Sequence, residues 1–565
     1  MTKALRAVLA LVLALSGALA TASVARADVD DSTGTNVQDG SNSSTGNQRG
    51  SSSTGDAVGG QVTGVVSSGR TSVDARNVSR DSDVTSGDAT GDNNARTFTG
   101  LNTSDEINVG NAADVTNANA TNLQDGNNRT SFNQTASYTT GDGVAGQVIG
   151  AVTAAGGSTS IVAANTSTDV SVTTGDAQGD SNNLAAFTGL NFSDTITVGV
   201  ADVEGSCNFG GCNNVQDGNN ATRARQSSTA STGDGVAGQV IGAVSAGATS
   251  IDATNRSDGV TVETGDATTD NNASLFTGLN DSVTATVGEA PLADVENSCN
   301  AGGTSCSNVQ DGNNATSLSQ SASANSGDGV AGEVIGAVTS AGGSASVVAA
   351  NTSLNSDVLT GEAEANNDFA SFTGLNFAPT TTVVADVETS CTEGTPACAN
   401  VQDGNNRLTG SQTARANTGD GVAGQVLGLV SAGAASLDAT NRTEDSTVET
   451  GESEANNAAS EFVGLNFGST LSVGQGVTAD ISSATAVNLQ DGNNRKSVSQ
   501  TADASSGDAV AGQVGGVVTS AGGSASVVLA NTSTGIDAAS GSTEFNNDED
   551  AFVGLNVQGD LGPVG

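Results

Sequence analysis

Six copies of one block, with spacing that never drifts, limit what this chain can fold into. The clearest copy runs from Asn308 to Val338, NVQDGNNATSLSQSASANSGDGVAGEVIGAV. Gln38, Gln124, Gln216, Gln310, Gln402 and Gln490 each precede Asp-Gly. Ten residues after each stands a second glutamine, at Gln48, Gln134, Gln226, Gln320, Gln412 and Gln500. Thirteen further on stand Gln61, Gln147, Gln239, Gln425 and Gln513, with Glu333 in the fourth copy. A block that admits no insertion implies backbone paired in one register throughout, with the glutamines as ladder residues, because a one-residue slip would turn every side chain to the other face.

Each copy belongs to a longer unit that closes after Phe-Thr/Val-Gly-Leu-Asn, the closing asparagines being Asn102, Asn191, Asn280, Asn376, Asn466 and Asn556. The expected organisation is an export signal at 1–27 and six repeats at 28–112, 113–200, 201–292, 293–384, 385–478 and 479–565. The repeats alternate. From one Gly-Asp turn to the next is 32 residues in repeats one, three and five (Asp56 to Asp88, Asp234 to Asp266, Asp420 to Glu452). In repeats two, four and six it is 34 (Asp142 to Asp176, Asp328 to Glu362, Asp508 to Ser542). An A–B pair present three times follows, and a two-residue difference preserves strand alternation.

Local patterning is β: Ile196, Val198 and Val200 alternate with Thr195, Thr197 and Gly199, the period of a strand. Asp-Gly, Asn-Asn and Gly-Asp steps fall between such runs, where turns need them. Gly143 to Val152 is ambiguous, since Val144, Val148 and Val152 also fit a helical stripe. Glycine costs a helix interior about 1 kcal/mol relative to alanine, which favours strand. The chain has no tryptophan, one tyrosine and 75 glycines; aromatic burial cannot sustain compact domains here, and stacked repeats that borrow core from their neighbours can. We expect an all-β, elongated repeat protein, β-solenoid-like or built of stacked β-repeats. Coils of roughly 20–30 residues would give three or four coils per repeat, with Asn, Gln and Thr ladders about 4.8 Å apart. The alternative is a string of six small β-sandwich domains.

Residues 1–27 have the pattern of a secretory signal: Lys3 and Arg6, an apolar run from Leu5 to Ala20, then Ala25-Arg26-Ala27. No later segment reaches membrane-spanning length. Removing the signal leaves 14 basic and 61 acidic residues, a net charge of −47. Such a chain repels nucleic acid and anionic membranes. Six cysteines form three close pairs: Cys207 with Cys212, Cys299 with Cys306, and Cys391 with Cys398. Junctions carrying a pair are longer by 4, 6 and 6 residues, the number enclosed by each pair. Local disulfides closing loops in an oxidising compartment explain this match. Two thiols per junction and no histidine leave no closed tetrahedral metal shell.

Without histidine there is no Ser-His-Asp or Cys-His catalysis. The acids recur with the repeat, as at Asp125, Asp217, Asp311 and Asp403, whereas a catalytic pair occupies one special environment; we expect no enzyme, and no catalytic residue or metal is assigned. Asp-Gly-Asn-Asn turns offer oxygen ligands, but neither the EF-hand nor the calcium-roll spacing is present. Turn geometry accounts for these residues more simply, and calcium is left as the open alternative to no cofactor. Asn-x-Ser/Thr triplets at Asn77, Asn165, Asn255, Asn351, Asn441 and Asn531 are expected to be incidental in so Asn- and Ser-rich a chain.

The block Gln310-Asp-Gly-Asn-Asn-Ala-Thr-Ser-Leu-Ser-Gln320-Ser-Ala resembles the curlin repeat of bacterial surface amyloid fibres. Carried over, the resemblance implies Gln310 and Gln320 as ladder residues and Gly312 with Asn313 as the turn. It covers about a quarter of each repeat, with the glutamines one residue closer than that family's usual pattern. The Gly-Asp-Ala and Asn-Asn segments resemble β-solenoid passenger repeats of secreted bacterial surface proteins. Both point to an exported structural protein of the bacterial envelope or extracellular matrix, extracellular or cell-surface associated, self-associating or touching surface components and glycans. A multivalent adhesin or glycan-binding protein is the alternative, and a polysaccharide-active β-helix enzyme comes last.

Overall fold

A computed structural model gives the protein's structure and describes residues 29–558, apart from short connecting segments. The second repeat shows the plan: β1 (Ala113–Thr116), β2 (Asn119–Gln124), β3 (Asn128–Thr139), β4 (Gly143–Thr153), β5 (Thr159–Thr173), β6 (Ala177–Ser193) and β7 (Ile196–Val198). Counterparts in the other repeats carry the same labels below. There is no helix among the described residues, so none that could cross a membrane. The ambiguous glycine-rich segment is strand β4.

Every pairing between these strands joins a strand to its counterpart in the repeat before or after, always in parallel. The result is seven sheets side by side, each running through the stack of repeats. Antiparallel sandwiches closed within one repeat, which beads on a string require, do not form. One expectation is corrected: a repeat is one rung, not three or four coils. Gln134 stands directly opposite Gln48 and Gln226, in the adjacent repeats. Six rungs spaced about 4.8 Å apart make a stack only roughly 24 Å from first to last. The stretch from β3 through β4, by contrast, spans roughly 80 Å at 3.3 Å per residue. The elongation therefore lies along the strands.

Within a rung, β3 and β4 form one layer, and β5 and β6 return antiparallel across it. β3 packs on β6 through Leu184, Ala224, Leu275 and Leu318. β4 packs on β5 through Ala145, Ala237, Val172 and Val262. The Gly-Asp turns are bends in these two layers and meet face to face. Thr264 Oγ1 donates to the Gly327 carbonyl at 2.9 Å, and Thr360 Oγ1 to that of Gly419 at 3.1 Å. The length difference between A and B repeats falls wholly between β4 and β5. Ser245 and Thr249 bound that connection in repeat three, Thr339 and Ala345 in repeat four. Both strands keep register across it.

Apolar aromatics are used as columns. Phe98, Phe187, Phe276, Phe372, Phe462 and Phe552 stack ring on ring with centroids 4.7, 4.9, 4.9, 4.7 and 5.1 Å apart. These are the phenylalanines of the repeat-closing signature. A chain with few aromatics thus concentrates its ring contacts, each of order 1 kcal/mol beyond area burial, in one line through the stack.

Candidate functional site

The described glutamine side chains are ladder residues. Gln134 Nε2 donates to Gln48 Oε1 at 2.8 Å, and Gln226, Gln320, Gln412 and Gln500 each repeat the bond to the glutamine below at 2.8–2.9 Å. Gln226 also donates across the layers to the carbonyls of Asn182 and Asn272. A buried amide with its donors used up is no liability; one left unpaired costs about 1–3 kcal/mol. Gln38, Gln124, Gln216, Gln310, Gln402 and Gln490 pair in register along β2. Gln61, Gln147, Gln239, Glu333, Gln425 and Gln513 do so along β4. The side chains of these two sets lie outside the described residues.

The expected disulfides fall in the connections between repeats. Cys207, Cys212, Cys299, Cys306 and Cys391 all lie outside the described residues, as does the Cys398 side chain. Only the Cys398 backbone is placed, at the start of its β2, where it pairs with Ala486 of the next repeat. The turn aspartates Asp125, Asp217, Asp311 and Asp403 lie outside the described residues as well.

The structure corrects the reading of the Asn-x-Ser/Thr triplets. Asn77 donates to Asn165, Asn165 to Asn255, Asn255 to Asn351, Asn351 to Asn441 and Asn441 to Asn531, each at 2.8 Å. The hydroxyl two residues on lies on the same strand face and also accepts from that amide, as Ser257 does from Asn255 at 3.4 Å. The triplet is therefore a ladder device, and Asn165, Asn255, Asn351 and Asn441 are buried. Further amide columns run from Asn93 to Asn547 and from Asn102 to Asn556.

Carboxylates form columns too. At the bend between β3 and β4, Asp142 Oδ1 accepts the Asp234 N–H at 3.0 Å, and Asp234 Oδ1 that of Asp328 at 2.9 Å. At the bend between β5 and β6, Asp266, Glu362 and Glu452 line an open groove of about 600 Å³ with Glu263 and Glu449. Burial, then the neighbouring carboxylates of Asp266, Glu452 and Glu364, push the Glu362 carboxyl above its usual range. Among the described residues no three metal-ligating side chains gather as a metal site would need.

What sets two regions apart is exposure. Among the described residues, the exposed large apolar side chains are Val58, Val78 and Phe98 in the first rung and Val510, Val528, Phe545, Phe552, Val553 and Leu555 in the last. In the column that runs from Phe98 to Phe552 the interior Phe187 is 0% exposed, against 40% for Phe98 and 43% for Phe552. Each outermost rung also presents the unpaired side of its parallel strands, in four long stretches of 12, 11, 15 and 17 residues on the second repeat's pattern. These two faces are the candidate functional site. No family model, no curated protein and no solved structure matches this chain.

Proposed function

We propose that this is an exported structural protein of the bacterial cell envelope or extracellular matrix, which works by self-association through the two end faces of its stack. One observation carries the reading. Among the described residues, the large apolar side chains left exposed are confined to the outermost rungs, where the strand edges are open as well. Open edges beside apolar side chains are a template for another chain. Multivalent adhesion remains the second use such a repeated surface suits, but among the described residues the exposed large apolar side chains belong to the two outermost rungs.

Charge opposes association. The full chain carries a net −44, and that repulsion is screened to a range of about 3 Å at 1 M salt. Light scattering combined with circular dichroism should show monomers in dilute buffer and growing β-rich particles as salt or calcium rises. A protein that stays monomeric from low to molar salt, with and without calcium, would remove this reading.

A further inference from the structure

We infer that copies join in one polarity only, the last rung of one copy onto the first rung of the next, in a phase set by size alternation in two core columns. The inference rests on the self-association just proposed and specifies its geometry.

The first observation is a size alternation inside the stack. One column of β3 reads Gly46, Phe132, Ala224, Leu318, Gly410, Val498. The β6 column in the same core cluster reads Ala95, Leu184, Ala273, Phe369, Ala459, Glu549. In these two columns odd rungs are small and even rungs large, while the β6 column two residues on, Thr97, Ala186, Leu275, Ser371, Glu461 and Ala551, is small where they are large. Large side chains spill over the small rungs. A methyl group placed on Gly46 would land in the Phe132 ring, and one on Gly410 would come within 3.0 Å of Val498 and 3.3 Å of Phe369. These two columns begin on small residues, Gly46 and Ala95, and end on larger ones, Val498 and Glu549. Sixth onto first continues their alternation; sixth onto sixth would set large on large along them.

The second observation is amide direction. Asparagines of the Asn77 column donate toward the last rung, and glutamines of the Gln48 column donate toward the first. The last rung thus offers an Asn531 N–H and the Gln500 oxygen; the first offers the Asn77 oxygen and a Gln48 N–H. Donor meets acceptor only when unlike faces meet. A two-fold contact would also reverse the strands, so that no column would continue.

The third observation concerns glycine columns that run out at the end faces, although Gly512 itself keeps a φ of +147° that favours glycine within one copy. A Cβ on Gly146, Gly238, Gly332 or Gly424 would collide with the carbonyl oxygen of the glycine in the rung above. At Gly512, in the last rung, the nearest atom is 3.7 Å away. At the bends the direction is opposite. A Cβ on Gly141, Gly233 or Gly507 would collide with backbone of the rung below, whereas at Gly55, in the first rung, nothing lies within 4 Å. A further rung on either face would restore the collision. The paired strands of one such junction exceed the roughly 20–30 residues a side of a stable interface. Because the contact is heterologous and does not close on itself, it generates an open filament.

The polarity is tested with two blocked variants at a salt concentration where the wild type assembles. Gly55→Ala combined with Gly87→Ala obstructs the first-rung face, the Gly87 methyl meeting nothing closer than Thr54 at 3.6 Å within one copy. Val528→Arg combined with Phe545→Arg, at two exposed positions of the last rung, obstructs the last-rung face. Circular dichroism should show both folded as the wild type is. Each alone should sediment as a monomer, and an equimolar mixture should give a dimer holding one copy of each and nothing longer. Dimers formed by either variant alone, or a mixture that stays monomeric beside an assembling wild type, would overturn the polarity while leaving self-association standing. A wild type that never assembles would overturn both.

Discussion

At the scale of single residues, this chain sets beside its apolar clusters buried polar groups that complete one another's hydrogen bonds along the stack. Asn255 accepts from Asn165, donates to Asn351 and bonds Ser257. Asn255→Ala leaves a donor below and an acceptor above unpaired and should cost about 1–3 kcal/mol. Asn531→Ala, at an exposed end of the same column, should cost well under half of that; urea unfolding of both variants checks the contrast. Lys496 makes a different case. It is the only lysine after Lys3, and it sits between two glutamates. Its Nζ lies 2.7 Å from Oε2 of the fully buried Glu461 and also pairs with Glu549. In register with this pair, Leu408 of repeat five stands beside Lys496 and Ser371 of repeat four beside Glu461. Lys496→Leu alone strands a buried carboxylate and should lose about 3–5 kcal/mol, whereas Lys496→Leu combined with Glu461→Ser should come out near neutral. A double-mutant cycle by chemical unfolding reads the difference. If the double variant is as unstable as the single, the pair is not what holds that corner.

At the scale of elements, β3 and β4 are set by periodicity and by close approach. β3 of the fourth repeat (Asn314–Asn325) alternates buried and exposed residues along its whole length. Deleting one residue between Ala315 and Ser319 should expose this repeat to protease far more than deleting two, because only the odd deletion exchanges the faces. In β4 the glycine column is steric: Gly238→Ala should disrupt pairing with repeat four and lower the melting temperature by many degrees, while Gly512→Ala, which meets no atom closer than 3.7 Å but keeps the strain of a φ of +147°, should lower it less. The unchanging spacing of Gln310, Gln320 and Glu333 makes both strands and their register legible in the amino-acid sequence. The size of a rung is not legible there, and the reason is physical. Period-two patterning tells which residues share a face but not which copy lies alongside, so one rung of about 90 residues and three short coils predict the same local sequence. The pairing of β3 with β6 is hidden similarly, since Ala224 and Leu184 reveal burial but not their partner. Asparagine ladders as such are expected from the repeat, but that the triplets at Asn165 or Asn255 form one is hidden, because Asn-x-Ser serves strand-face bonding and glycan acceptance with the same three residues.

At the scale of the whole molecule, in-register stacking places carboxylates that recur in successive repeats, such as Asp142, Asp234 and Asp328, beside their own copies, and their titration couples stability to pH. Burial is the largest cause raising the Asp234 carboxyl; the Asp328 N–H opposes it, and the Asp328 and Asp142 carboxylates add to it. Burial and its column neighbours raise Glu362, and burial raises Glu461 against the pull of Lys496. Each folded carboxyl therefore holds a proton that the unfolded chain has already released. Where the folded state binds more protons, the free energy of unfolding falls as pH rises. The contribution is complete below the ordinary values of 3.8 for Asp and 4.5 for Glu, and it is lost as pH climbs through the raised folded values. The urea midpoint should accordingly be higher at pH 5 than at pH 8, opposite to a protein stabilised by salt-bridged carboxylates. Glu461→Gln should flatten part of that slope, since it removes one proton-binding difference. Added salt at pH 8 should recover the share due to repulsion between column neighbours at Asp234 and Glu362, but not the share due to burial. A midpoint that rises from pH 5 to pH 8 would mean that the stacked carboxylates are held by compensating donors and not merely tolerated. Acid should favour growth of the stack by the same logic, because protonation near the isoelectric point of about 4.1 removes the repulsion that adding a rung of like charge would otherwise increase.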